Sequence, residues 1–477
     1  MIGPVISPTP YLQCAIISGE AFSFLRDQLS APVEKDRFRA VTVPIERTSL
    51  TGGLKLDGTE PWIYWATPSG EETLAWGAAW KITPDAQNRF AAAESAASTL
   101  WDRIEWRGFP GTRKPRIRIF SGFAFDPAGP YSTEWDGVPS NYCVLPSICI
   151  TCARGSFRAT VISGRGLHGE ALHGFSELLG TLRAPLTEAR EDRAFAPATP
   201  HETTGEDRHE RWLRSIASIK DGITSGIFQK VVVARSVLQS LSRKPDIGRA
   251  LDLLALHYPD SYRFAASFGE KLFLAATPEL LVSKRGPRFV THALAGSMPF
   301  HGNAQAERAA RRALMRSAKD SDEHSLVVEA IRRSVGGFAK TLEVSTSPRI
   351  ILYGDIAHLE TPLEGALEYD VHVLRLVSAI HPTPAVGGVP SDEALKWIRA
   401  NEEVPRGWYA GPIGWFDSNG DGCFVTAIRS ALVAPGSARL FAGAGIVAAS
   451  DPATEYGETE AKLKPMRLAL GLAHDVR

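Results

Sequence analysis

Glu455, Glu458 and Lys462 fall at i, i+3 and i+7 of a charged stretch, so a helix over 453–464 sets two carboxylates and one ammonium on a single face. The run before it, Phe441-Ala-Gly-Ala-Gly445-Ile-Val-Ala-Ala-Ser450, offers small residues and bare backbone N–H groups where a ligand could come close. Lys230, within Phe228-Gln-Lys-Val-Val232, shares a strand face with Phe228 and Val232 and reads two ways. It is either an edge lysine that resists aggregation or a buried one whose neutral amine acts as a base. Glu279 follows Ala276-Thr-Pro278 at a break between apolar runs. Exposed, it is a turn residue; buried, it keeps its proton and can act as a general acid. In Lys319-Asp320-Ser-Asp322-Glu323-His324, helical continuation puts Asp320 and Glu323 on one face, as a polar corner or a seat for a hard cation such as Mg²⁺.

Two other patterns carry less. Gly443-Ala-Gly445-Ile-Val-Ala448 fits a dinucleotide fingerprint, but no apolar strand-like run or acidic ribose ligand follows at the required spacing. Cys149-Ile-Thr-Cys152 has no second pair or histidine partner at zinc spacing, and reads as two small hydrophobes in a strand. Five cysteines, an odd number, argue against a disulfide scaffold and for a reducing compartment. Lys plus Arg equal Asp plus Glu at 53 each, so no global field draws the chain to nucleic acid or an anionic membrane. The first ten residues lack a signal-peptide pattern and no apolar stretch is long enough to span a bilayer, so a cytoplasmic protein is expected.

The elements that must position these groups follow from periodicity. With 477 residues at 44% hydrophobic, the chain can bury a large core. Residues 1–183 read as β-rich, with strands at 62–66, 117–120 and 142–145 and a helix over Ala91 to Trp106. The Pro-, Thr- and charge-rich stretch 184–208 reads as a linker, and 209–477 as the chemistry-bearing region. The latter has a helix at 210–219, a strand at 228–235, a helical stretch 304–335 broken at Lys319–His324, and strands at 423–429 and 438–442. Helices and strands do not alternate regularly, which favours α+β over a doubly wound sheet.

Taken in order, these segments resemble the chorismate-utilising enzymes: isochorismate synthases, salicylate synthases, and the large subunits of anthranilate and aminodeoxychorismate synthases. The resemblance covers roughly 210–470 and rests on Phe228-Gln-Lys230-Val-Val-Val-Ala-Arg235, Ala276-Thr-Pro-Glu279, Leu294-Ala-Gly296-Ser, Lys319-Asp-Ser-Asp-Glu323-His and His358-Leu-Glu-Thr-Pro362. It continues through His381-Pro-Thr-Pro-Ala385, Arg406-Gly-Trp-Tyr409-Ala-Gly, Thr426-Ala-Ile-Arg429, Phe441-Ala-Gly-Ala-Gly445 and Glu455-Tyr-Gly-Glu458-Thr-Glu-Ala-Lys462. It implies one large α+β body of two sheets with helices packed outside them, the N-terminal region included.

The resemblance also implies roles. Glu323 and Glu458 would bind Mg²⁺, with Glu455 and Asp320 arranging its surroundings. Arg429, Tyr409 and the Gly445 backbone would hold the enolpyruvyl carboxylate of chorismate. His358 and Lys462 would complete an anionic pocket, and Ala295 and Gly296 would leave room beside the ring. Lys230 would be the base that activates water and Glu279 the acid, as in isochorismate synthases, whereas anthranilate synthases commonly carry Gln at the lysine position. The implied reaction is isomerisation of chorismate to isochorismate for siderophore, salicylate or menaquinone biosynthesis. A salicylate synthase and a non-catalytic chorismate-binding relative are the alternatives. Ala385, where salicylate synthases often have Thr, favours release of isochorismate to a separate consuming enzyme. No glutamine amidotransferase subunit is expected.

Overall fold

Trp62-Ile-Tyr-Trp-Ala66 is apolar throughout because both faces of its strand are covered: Trp62, Tyr64 and Ala66 point to one core, Ile63 and Trp65 to another. The same alternation separates Ile119 and Phe123 from Phe120 in the strand Arg118–Phe123. These strands belong to a pair of large sheets in a computed structural model, which describes residues 16–472 apart from 47, 53, 55–59, 130, 165–166, 183–205 and 301. Of the expected linker at 184–208, residues 184–205 lie outside the described residues, as do residues 1–15, and 206–208 open the helix Glu206–Thr224.

The larger sheet has twelve strands. Its C-terminal half runs Gly388–Val389, Lys230–Ser240, Ser437–Ile446, Ser430–Ala434, Lys271–Thr277 and Tyr262–Phe268. Tyr262–Phe268 then pairs antiparallel with Trp62–Ala66, Phe264 opposite Trp65, and the sheet continues through N-terminal strands. The ten-stranded sheet is joined likewise, Pro412–Asp417 pairing with Arg118–Phe123. Each sheet therefore takes strands from both parts of the chain.

Three large cores separate four layers, and a small fourth cluster holds Leu314, Ala357 and Leu359. Trp65, Phe264 and Phe273 of the larger sheet meet Phe120, Ile413 and Trp415 of the smaller one, with Trp135 and Trp408 fully buried between them. Helices Gly19–Ser30, His168–Leu182, Ile247–His257 and Pro452–Ala469 cover the outside of the larger sheet through residues such as Leu25, Phe175, Leu251 and Leu463. Helices Arg89–Trp101, Ala318–Gly336 and Val373–Ile380 cover the smaller sheet through Ala97, Val327 and Leu374. The α+β reading and the placement of helices outside the sheets hold.

Several boundaries differ from the sequence reading. The helix expected to reach Trp106 ends at Trp101, because Ile104–Gly108 pairs in parallel with Phe38–Ile45. The 304–335 stretch breaks at Ser317, whose hydroxyl accepts from Asp320 N and caps the next helix; Lys319–His324 is helical. The lysine strand starts at Lys230, so Phe228 lies outside its alternation and packs in the core that holds Val231 and Val233. Cys149 and Cys152 are not joined in a disulfide and stand three apart on the strand Ile148–Ala153, which turns them to opposite faces. No helix among the described residues is long and apolar enough to cross a membrane.

One buried ion pair anchors the smaller sheet's edge turn. Lys284 is 1% exposed and its Nζ lies 3.0 Å from Asp421 Oδ1, which also accepts from Gly286 N. Asp421→Ala leaves that ammonium buried, with the exposed Asp370, at 3.7 Å, its one remaining ion-pair partner among the described residues. The expected cost is about 3–5 kcal/mol in urea unfolding; a loss below ~1 kcal/mol would show that the pair is not structural.

Candidate active site

The chain passes from one sheet to the other at two neighbouring places. Lys271–Thr277 lies in the larger sheet and Leu280–Arg285 in the smaller, so Pro278 and Glu279 make the crossing. Gly422–Thr426 and Ser430–Ala434 are likewise in different sheets, and Ala427–Arg429 make the return. Thr426 N donates to Glu279 O at 3.1 Å and Ala276 N to Arg429 O at 3.0 Å, which ties the crossings together. Arg429 takes the left-handed conformation, φ 51°, that turns the chain back. Proline at 278 suits a position where strand pairing stops.

This joint buries both side chains. Glu279 is 3% exposed and its Oε1 accepts from Thr426 Oγ1 at 3.0 Å. Burial pushes its carboxyl up to about 7, against the opposing pull of Thr426, Arg429 and Lys230. Burial lowers the Arg429 guanidinium from its ordinary range. Arg429 donates from Nη2 to His358 Nε2 at 3.1 Å. An arginine can only donate, so His358 carries its proton on Nδ1, 2.9 Å from Ser297 Oγ. Burial and then Arg429 hold that imidazole neutral, well below its usual pKa.

Glycines create the remaining space. A bulge between Ala295 and Ser297 in the strand Arg288–Pro299 sets Gly296 at φ 78°, a conformation glycine adopts without strain. Gly445 pairs opposite Val232 on the lysine strand. A Cβ there would sit 2.3 Å from Glu323 Oε1 and 2.7 Å from Lys230 Cε, so only glycine leaves room for those two side chains to meet. They do meet: Lys230 Nζ, fully buried, is 2.9 Å from Glu323 Oε1. The contact lacks hydrogen-bond alignment, which leaves the ammonium without a hydrogen-bond partner among the described residues. Although burial opposes ionisation of Glu323, Lys230 and Lys319 outweigh it and keep the carboxyl below its ordinary pKa.

On the helix Pro452–Ala469, Glu458 Oε1 lies 2.5 Å from Lys462 Nζ, which also donates to Gly443 O at 2.9 Å. Glu455 turns instead to Lys319, whose Nζ is 2.7 Å from its Oε1. Asp320 is buried behind Gly296 with Oδ1 lacking a hydrogen-bond partner, and burial raises its pKa. Tyr409 stacks on Phe441 with ring centroids 5.2 Å apart, and burial pushes its hydroxyl up to about 12.

These groups enclose a cleft with about 620 Å³ of empty space. Glu279, Ala295, Gly296, Glu323, His358, Tyr409, Arg429, Gly445, Glu458 and Lys462 all line it. Lys230 lies just beneath its wall, against Gly445 and Glu323, and Glu455 is outside the lining. Among the described residues no group of three or more His, Cys, Asp or Glu is arranged as a metal site. Besides Glu279, whose carboxyl burial pushes towards the neutral acid, Glu323 and Glu458 line the cleft, and one or two such oxygen donors are what Mg²⁺ commonly takes from a protein. Asp320 Oδ1, buried with Lys319 Nζ 3.9 Å away but no hydrogen bond among the described residues, fits a hard cation's surroundings.

A second cavity, about 750 Å³, lies behind Tyr409 and Phe441, but its Arg211, Arg235 and Arg406 are each paired with a glutamate. In the first cleft the Arg429 Nε is buried without a hydrogen-bond partner among the described residues. Sequence reasoning missed Thr426, Ser297 and Lys319 as partners of Glu279, His358 and Glu455. All three stand inside recognised motifs, but their partnerships are set by pairing across the fold that no local spacing reveals.

Comparison with known proteins agrees with this geometry. The chorismate binding enzyme family matches residues 30–471. The salicylate biosynthesis isochorismate synthase of Pseudomonas aeruginosa is 37% identical over 421 residues, covering 87% of this chain and 86% of the relative. The isochorismate synthase MenF of Bacillus subtilis is 32% identical over 420 residues, covering 86% and 88%. Among solved structures, the menaquinone-specific isochorismate synthase MenF of Escherichia coli shares the fold with a TM-score of 0.75 at 24% identity, covering 94% of this chain and 99% of that one. Anthranilate synthase component I of Streptococcus pneumoniae shares it with a TM-score of 0.64 at 20% identity, covering 90% and 92%. With its two-sheet body, the cleft at the sheet crossings and a family match along most of its length, the chain belongs to the chorismate binding enzyme family.

Proposed function

We propose that this chain is an isochorismate synthase, which adds water at C2 of chorismate and expels the C4 hydroxyl. The observation that carries the chemistry is the pairing of a buried lysine with a carboxyl of raised pKa at one cleft: Lys230 beneath the Gly445 wall and Glu279 at the sheet crossing. The neutral amine of Lys230, formed once the proton of its resting ion pair with Glu323 has been given up, takes a proton from the attacking water. Both ring double bonds shift as the new C2–O bond forms, C1=C2 becoming C1=C6 and C5=C6 becoming C4=C5, and Glu279 gives its proton to the C4 oxygen, which leaves as water. Atoms balance, since one water enters and one departs.

Charge in the cleft suits a dianion. Arg429 and the still-protonated Tyr409 offer donors to the enolpyruvyl carboxylate, with the backbone around Gly445 beside them. Neutral His358 holds the Arg429 guanidinium and adds no charge of its own. Lys462 adds a second cation, and Ala295 and Gly296 leave space for the ring. Glu323 and Glu458 would hold Mg²⁺, with Glu455 and Asp320 outside them; the bound ion would neutralise the ring carboxylate and fix its orientation. Ala385 lines the cleft with a methyl rather than a hydroxyl, which supports release of isochorismate over elimination of pyruvate. A cytoplasmic enzyme that passes its product to a separate isochorismate-consuming partner, without an amidotransferase subunit, completes the reading. Relatives named for salicylate and 2,3-dihydroxybenzoate or menaquinone routes leave all these destinations open.

Incubation with chorismate and Mg²⁺, followed by NMR, is expected to give isochorismate; salicylate plus pyruvate as the main products would favour a salicylate synthase instead. Lys230→Ala should lower turnover by about 10²–10⁴-fold while calorimetry still records Mg²⁺-dependent chorismate binding. Turnover at the wild-type level would remove Lys230 from the base role. Glu279 must be protonated to act as the acid, and its protonated fraction falls as pH rises through about 7. The log of kcat/KM should therefore decline on the alkaline side of that pH, and the decline should vanish in Glu279→Gln; an identical decline in that variant would assign it to another group.

A further inference from the structure

The lysine strand is an edge strand for most of its length. The two-residue strand Gly388–Val389 pairs with Lys230 and Val231, and two more bonds, Gln229 N to Val389 O and Val232 N to Gly387 O, close that contact at its two ends. Beyond it the edge groups Val232 O and Ala234 N face no strand among the described residues. Two side chains fill their places. Arg406 Nη2 donates to Val232 O at 2.8 Å, and Glu402 Oε1 accepts from Ala234 N at 2.9 Å. Arg406 and Glu402 are themselves paired by two bonds, Nε to Oε2 at 2.8 Å and Nη2 to Oε1 at 2.5 Å. The donor and acceptor are thus offered as a neighbouring strand would offer them.

The guanidinium has a third attachment. Nη1 donates to Val386 O at 2.6 Å, and its face packs on the Phe125 ring at 4.2 Å. Val386 and Ala385 belong to the turn that lines the cleft opposite Val232. The group is fully enclosed: Arg406 is 5% exposed, and burial, which would favour its neutral form, is outweighed by Glu402. A planar guanidinium satisfies three directions at once, which an ammonium cannot do with the same geometry.

We infer that Arg406 and Glu402 form a positioning clamp: a side-chain substitute for a β-strand that fixes the Lys230 strand against the Ala385–Val386 turn, and thereby sets where the Lys230 amine stands in the reaction. Neither residue touches the cleft's reacting centre. Their effect runs through the backbone at Val232, two residues from Lys230. This inference rests on Lys230 being the base.

The test uses Arg406→Gln, Arg406→Lys and Glu402→Gln in the full chain, with kcat expressed per chorismate-binding site counted by calorimetry. Arg406→Gln and Glu402→Gln should each lower per-site kcat by about 10²-fold, with chorismate affinity within about threefold of wild type, and Arg406→Lys should fall between. Asp421→Ala, destabilised at a turn remote from the cleft, should keep wild-type per-site kcat. In a Lys230→Ala background, Arg406→Gln should cause almost no further loss, since the residue it positions is gone. Wild-type per-site kcat in the clamp variants, or a full second 10²-fold loss in the Lys230→Ala background, would overturn the clamp. Wild-type turnover in Lys230→Ala alone would overturn the base assignment, and the clamp with it.

Discussion

Everything at the cleft depends on the two places where the chain leaves one sheet for the other. A strand that crosses between stacked sheets exposes backbone groups that ordinary pairing would satisfy, and here the crossings satisfy one another through Thr426 N to Glu279 O and Ala276 N to Arg429 O. The bonds hold a carboxyl and a guanidinium in a gap where water is scarce. Low dielectric then does opposite things to the two: it pushes Glu279 toward the neutral acid, and it makes the charge on Arg429 costly unless an anion arrives. A site prepared for an anion and a proton donor follows from topology.

The lysine side of the cleft is governed by a steric constraint. Gly445 has no side chain, so Glu323 from a helix outside the smaller sheet can reach Lys230 on the larger one. The ion pair is fully desolvated and imperfectly aligned, a poor way to gain stability, since removal of either partner leaves an uncompensated charge. Its retention is better explained by what the cleft does. The same holds for Glu458 with Lys462 and Glu455 with Lys319, which keep a carboxylate-rich region near neutrality.

Much of this could be read from the chain. The i, i+3, i+7 spacing of Glu455, Glu458 and Lys462 does lie on one helix, and Glu458 does meet Lys462. The motif order gave the family and the two-sheet architecture. What local pattern could not supply was partnership across the fold. Glu455 shares the helical face of Glu458 but is drawn to Lys319, because the cap at Ser317 starts a new helix and swings that lysine toward it. The break at 317 was hidden because its signal is a single hydroxyl, while the charged run after it looked like the interruption. The edge of the lysine strand was visible as a strand, yet nothing in its sequence indicates that Arg406 and Glu402 complete it.

The central claim is that water attacks C2 and the product leaves as isochorismate. The most direct measurement is turnover of chorismate in ¹⁸O-labelled water with mass and NMR analysis of the product. The account expects isochorismate carrying one labelled oxygen at C2 and its enolpyruvyl group intact. Unlabelled isochorismate would contradict attack by solvent water, and labelled pyruvate-free aromatic product would contradict release at the isochorismate stage.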